Sequence, residues 1–208
     1  MEIHAPEGPT RSFREFSIHI LIVTIGILIA LGLEGIRETM HEHSALEATR
    51  QTLRWELEGD RDNLTQETAN IQAKHAALKS VLQDYDQLVR TPDQLQKRVD
   101  ALGYSFYYFL GTGWSTATAN GVLSYMKSDE ANRYAETYFC ISTYQSLSHQ
   151  TGLDGAAAKS FFDSRSTYSP QDAMEGKRRL LVFQYDLSDM IHLDQIFMTE
   201  INKALAPQ

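Results

Sequence analysis

A chain of 208 residues with 27 acidic and 19 basic side chains carries a formal charge of −8, which excludes the basic stripe a nucleic-acid-binding surface needs. Its single cysteine, Cys140, excludes an internal disulfide and a CxxC redox pair. Mean hydropathy is mildly negative, so one strongly apolar segment sits on an ordinary polar body of roughly 170 residues, enough for one domain with a core.

Residues 1–12, MEIHAPEGPTRS, hold two of the five prolines and no apolar periodicity. They read as a short tail, too short to be an output domain. Ser17 to Leu33, SIHILIVTIGILIALGL, has no formal charge and three mildly polar side chains, Ser17, His19 and Thr24. With Phe13 and Phe16 the apolar run reaches about 18 to 20 residues, matching the roughly 30 Å hydrocarbon core of a bilayer. A soluble helix would show a polar face, and this one shows none. The reading is a transmembrane anchor over 13–36 with the lipid bilayer as its partner. The triplet Ala30-Leu31-Gly32 resembles a signal-peptide cleavage site, but the run exceeds the usual apolar region of about 7–15 residues, which favours an uncleaved signal anchor.

Arg11 and Arg14 precede the anchor; Glu34, Arg37, Glu38 and Glu42 follow it. The bias places the N-terminus in the cytoplasm and residues 37–208 outside, as a single-pass protein of a bacterial inner membrane with a periplasmic domain. Within the anchor, Gly26 and Ala30 form a small-xxx-small face that permits close helix contact, although glycine and alanine are also simply common in membrane helices. His19 sits near the cytoplasmic end, within reach of headgroups as a neutral imidazole.

From Arg37 to Val89 there is no proline and only one glycine, Gly59. Leu57, Leu64, Ile71, Leu78 and Tyr85 recur every seven residues. A second row holds Leu46, Leu53, Val81 and Leu88, with Asp60, Glu67 and Lys74 in its middle. This predicts one long amphipathic helix continuing the anchor, with Gly59 as its place to kink and a stripe that narrows at its centre. Leu57, Leu64, Ile71 and Leu78 are expected to face the final helix, leaving Leu46, Leu53, Val81 and Leu88 for short helices or another subunit.

Thr91-Pro92-Asp93-Gln94 reads as a capping box with proline at the first helical position. A short helix with Leu95, Val99 and Leu102 inward should end at Gly103. Next comes the densest aromatic cluster, YSFYYFLGTGW over 104–114. Tyr104, Phe106, Tyr107, Tyr108, Phe109 and Trp114 are candidates for a ligand-facing wall, for packing at the end of a bundle, or for a loop on the membrane. Ala117–Met126 reads as a short helix, and Ser128 caps a longer one ending near Gly152. A short helix around Ala156–Phe162 is expected within a mixed stretch. Ser169-Pro170-Gln171-Asp172 opens the last helix, which runs to about Ala204 with Leu180, Leu187, Ile191, Ile201 and Leu205 on one face. It should pack antiparallel to the long first helix. The fold class is all-α: a transmembrane helix continuing into a long amphipathic helix, packed with later helices as an extracytoplasmic bundle.

No catalytic signature emerges. His41 and His43 lie two apart on a helix and point to different faces; Glu38 and His41 match a Glu-x-x-His metal motif that lacks a second copy. There is no nucleophile elbow, phosphate loop or dinucleotide fingerprint, and Cys140 has only His149 nearby in sequence. Lys177-Arg178-Arg179 reads as a solvated basic cluster. Asn63-Leu64-Thr65 is a chance-level sequon.

IGILIALGLEGIRE, followed by Leu-x-x-Glu-Leu over 53–57 and Asn63, resembles a group of small uncharacterised bacterial single-pass membrane proteins, in which a G-I-L-I-A-L anchor leads into an α-helical exported domain. Trp114 to Tyr138, with Gly121-Val122-Leu123 and Met126, is also similar. The resemblance implies topology and carries no activity or site residues. The functional expectation is a non-enzymatic structural or accessory subunit without cofactors, acting through helix contacts as a homo-oligomer or in a larger membrane complex. The alternative is a helical-bundle ligand sensor with an aromatic pocket.

Overall fold

The computed structural model describes residues 13–206; the tail over 1–12, with Arg11, lies outside the described residues. All regular structure among the described residues is helical. Helix α1, Phe13–Gln83, has no break at Gly59. The break falls instead at Asp84, before the single turn α2, Tyr85–Leu88. The chain divides into two compact units, one up to Glu47 and one from Ala48.

In the first unit, the large apolar side chains from Phe16 to Ile36 are all exposed. This segment is long and apolar enough to cross a membrane. Its two hydroxyls are internally satisfied: Ser17 donates to the Phe13 carbonyl and Thr24 to the Ile20 carbonyl, at 2.9 and 2.8 Å. A hydroxyl in hydrocarbon has no better partner than the carbonyl one turn back.

In the second unit, the Ala48–Gln83 part of α1 packs with α5, Ser128–Asp163, and α6, Pro170–Leu205. Polar contacts fix the directions. Arg54 donates to the Leu205 carbonyl and Tyr85 to the Ala173 carbonyl, so α6 runs antiparallel to α1, as expected. Arg50 pairs with Glu130, and Tyr138 bonds Glu56, so α5 runs parallel to α1. A parallel pair needs a return connection. It is supplied by α3, Pro92–Asp100, an extended strap over 103–111, α4, Thr112–Ala119, and a 3-10 turn, Val122–Tyr125.

The core follows the heptad rows. Leu57, Leu64, Ile71 and Leu78 are fully buried, as are Phe183, Leu187, Met190, Phe197 and Ile201 of α6. Each such side chain contributes about 1.5–3 kcal/mol by leaving water. The second row does not wait for another subunit: Leu53, Val81 and Leu88 are buried within this chain. Ile191, expected inward, is only half-buried, and Asp194 takes an inward place.

Several boundaries differ from the expectation. Helix α5 does not stop near Gly152 but runs on to Asp163, absorbing the short helix and loop expected after it. The reason is packing: Gly155 lets Tyr104 and Phe183 close on the backbone, where a Cβ would sit 2.5 Å from Tyr104 Cδ1. Lys127, not Ser128, is the N-cap residue of α5. Thr91 makes no cap bond; its hydroxyl turns back to the Leu88 carbonyl. Ser169 and Asp172 do form a reciprocal capping box. Gly103 follows the end of α3 with φ +67°, the left-handed conformation glycine tolerates best.

Candidate functional site

The polar residues that interrupt the second heptad row hold the strap. Residues seven apart on a helix stack along one line, about 10.5 Å from one to the next. Down this line, the Leu110 amide faces Asp60, the Tyr107 amide donates to Glu67 at 3.0 Å, and Lys74 Nζ donates to the Ser105 carbonyl at 2.6 Å. Two acceptors and a donor on the helix meet two N–H groups and a C=O on the strap. The extended backbone would otherwise bury unpaired groups, so this row replaces the strand partner it lacks. Lys74 also lies over the Phe106 ring, 4.3 Å from its centroid.

Glu56 continues the anchorage towards α4. One of its oxygens accepts from the Thr112 hydroxyl and the Gly113 amide at 2.7 and 2.8 Å; the other accepts from the Tyr138 hydroxyl at 2.8 Å. Gly113 is required here, because a Cβ would come within 2.7 Å of the carboxylate. Trp114 stacks on Tyr138 with ring centroids 5.4 Å apart.

The six aromatic candidates therefore separate. Phe109 is a core residue, edge-on to Tyr107, Tyr144 and Phe197. Trp114 packs on Tyr138. Tyr104 is half-buried against Phe183 and gives its hydroxyl to the Val99 carbonyl. Together with Phe106, Tyr107 and Tyr108, it edges an open groove of about 370 Å³ whose other wall is Gln145, Ser148, His149, Gly152 and Leu153 of α5. Tyr108 is 71% exposed. Asn63 is tied to the Tyr107 hydroxyl at 2.8 Å.

Electrostatically the strap borders buried acids. Burial pushes the Asp60 carboxyl up to about 7; the Leu110 amide opposes the rise and the Glu56 charge adds to it. Burial also takes Asp194 up to about 7, opposed by Thr68 and reinforced by Glu67. The Thr68 hydroxyl donates its proton to the Leu64 carbonyl at 2.8 Å, so both Asp194 oxygens lack a donor. One Asp60 oxygen and the Tyr144 hydroxyl are likewise buried and unpartnered. Burial, Asp194 and Glu67 together raise the Tyr144 phenol.

The periodicity displayed Asp60, Glu67 and Lys74 but presented them as a narrowing of the apolar stripe. Glu56, Tyr144 and Asp194 were missed altogether; the only signal for Asp194 is an aspartate in register with Leu187, Ile201 and their neighbours. In the first unit, Gly26 has nothing within 4 Å of where a Cβ would stand, so this chain does not fill the face it shares with Ala30. His41 lines a shallow surface groove with Glu34, Arg37 and Glu38, and among the described residues no three His, Cys, Asp or Glu side chains are grouped to hold a metal. His19 and His43 are exposed, and Cys140 is half-buried with its thiol pushed up by burial. Comparison with protein families, with curated proteins and with solved structures finds no match to this chain.

Proposed function

We propose that the protein is a membrane-anchored, non-enzymatic accessory or structural subunit that works through helix-mediated contacts with itself or with a larger membrane complex. The observation that carries this reading is the first unit. Its apolar side chains are exposed all round the helix, and the Gly26–Ala30 face is open to a second helix. In lipid, close packing supplies the association energy, so an open small-residue face is where a partner helix would sit. The flanking charges support an N-terminus inside and a helical bundle in the periplasm, and the resemblance to bacterial single-pass proteins supports the same topology. A reporter active only in the periplasm, fused after Gln208, should give signal, whereas activity from a cytoplasmic reporter there would reverse the orientation. Mass measurement in mild detergent tests the role: a dimer, higher oligomer or retained partner is expected, and a bare monomer would refute it.

The aromatic groove favours a second reading, a ligand-sensing bundle. It presents four aromatic rings beside Gln145, Ser148 and His149, the mixture of apolar wall and few polar groups found in small-molecule sites. Thermal shifts of the full chain against a library of small periplasmic solutes would separate the two readings. Saturable stabilisation abolished by Tyr108→Ala favours sensing.

A further inference from the structure

We propose that the strap over 103–111 is a proton-dependent latch, closed while Asp60 and Asp194 carry their protons and released when both ionise. The geometry is that of a cover lying on buried carboxyl groups. Two of the three contacts along α1 that hold the strap involve carboxyl groups, Asp60 facing the Leu110 amide and Glu67 accepting from the Tyr107 amide. Asp60 and Asp194 are only 3% and 2% exposed, and among the described residues no ion pair reaches either. Three of their four carboxyl oxygens have no donor.

The groups facing each aspartate are acidic or neutral. Around Asp60 stand Glu56 from α1, the Tyr138 phenol from α5 and the Leu110 amide from the strap. Around Asp194 stand Glu67 and Thr68 from α1 and the Tyr144 phenol from α5. Glu56 has three donors and Glu67 two, with Lys74 one step beyond Glu67. The two aspartates beside them lack such donors, and burial favours their protonated form. Ionising both would put two desolvated charges beside Glu56 and Glu67, against which the strap and its continuation into α4 are held. A like-charged, desolvated cluster relieves itself by admitting water, and the strap, which contacts Glu67 and Asp60 without being held in a helix, is the segment that can yield.

The test is amide hydrogen exchange on the full chain in mild detergent, with rates corrected for the intrinsic effect of pH. Protection of the Leu110 and Tyr107 amides should fall between pH 6 and pH 8, by up to about tenfold per pH unit for each linked carboxyl. Amides of Leu187 and Met190 in the middle of α6 should keep theirs. In the Asp60→Asn, Asp194→Asn double variant the strap amides should stay protected across that range. Strap protection that is flat with pH in the native chain overturns the proposal, as does a fall shared equally by the α6 amides. The same fall in the double variant also overturns it. Should that variant not fold, the comparison of strap with α6 in the native chain decides alone.

Discussion

Glu56 is the residue on which the most depends. Its two oxygens satisfy a threonine hydroxyl, a backbone amide and a tyrosine hydroxyl, all partly or wholly buried. Truncation by Glu56→Ala strands those donors, each costing about 1–3 kcal/mol, so urea denaturation should show a loss of at least about 3 kcal/mol. Glu56→Gln has a different and more informative effect. It keeps an acceptor and removes the charge that helps raise Asp60, so a carboxyl NMR titration should find the Asp60 pKa below its native value of about 7. At Gly155 the argument is steric. An added methyl would stand 2.5 Å from Tyr104 and 2.9 Å from Phe183, both held by packing. Gly155→Ala should cost about 1–3 kcal/mol in the same denaturation experiment, despite alanine's better helix propensity.

At the scale of elements, the helices were legible and the strap was not. Two heptad rows without proline dictate a long helix, and Ser169-Pro170 with Asp172 marks the start of α6 through an intrinsic capping preference. Local signals failed wherever tertiary contact outweighed them. Gly152 looked like a helix end, yet α5 continues because its glycines admit Tyr104 and Phe106 against its backbone. Thr91 looked like a cap, yet its hydroxyl found the Leu88 carbonyl first. Asp60, Glu67 and Lys74 could be seen at seven-residue spacing, but only a segment more than 30 positions away gives that spacing its meaning. An apolar replacement should expose this. Asp60→Leu with Glu67→Leu fills two of the three gaps in the hydrophobic row but leaves the Tyr107 amide without its acceptor and the Leu110 amide facing an apolar side chain. Limited proteolysis should then cut within 103–111 while α5 and α6 stay intact.

For the whole molecule, the buried acids set the response to pH. Asp60 and Asp194 have folded-state pKa values near 7 and Asp186 near 6, all above the ordinary aspartate value, and burial is the first cause of each. An acid whose pKa rises on folding binds its proton more tightly in the folded state. Its stabilising contribution is complete below about pH 4 and is lost as pH climbs through 6 and 7. Glu175, held down to about 2 by Arg178 and Arg179, has the opposite sign but lies in exposed pairs that contribute little. The buried groups should dominate. Stability measured by urea should be higher at pH 5.5 than at pH 8, by up to about 1.4 kcal/mol per pH unit for each carboxyl titrating in that window. A midpoint that increases towards pH 8 would show these carboxyls to be ionised throughout.

The match between Asp60–Leu110 and Glu67–Tyr107 also works as a measuring device. Seven helical residues advance about 10.5 Å, and three extended residues cover about 10 Å, so the two chains stay in step over one interval. From the other side, the Gln145 side chain donates to the Phe109 carbonyl and fixes the same count. Deleting a single residue between Tyr107 and Leu110 would therefore move every later bond out of phase, tearing Gly113 from Glu56 and misplacing α4. The same deletion in the turn between Ser164 and Ser169 would meet no such gauge. The length of this short segment is held by arithmetic with a distant helix, while its side chains, apart from Phe109 and those lining the groove, remain open to change.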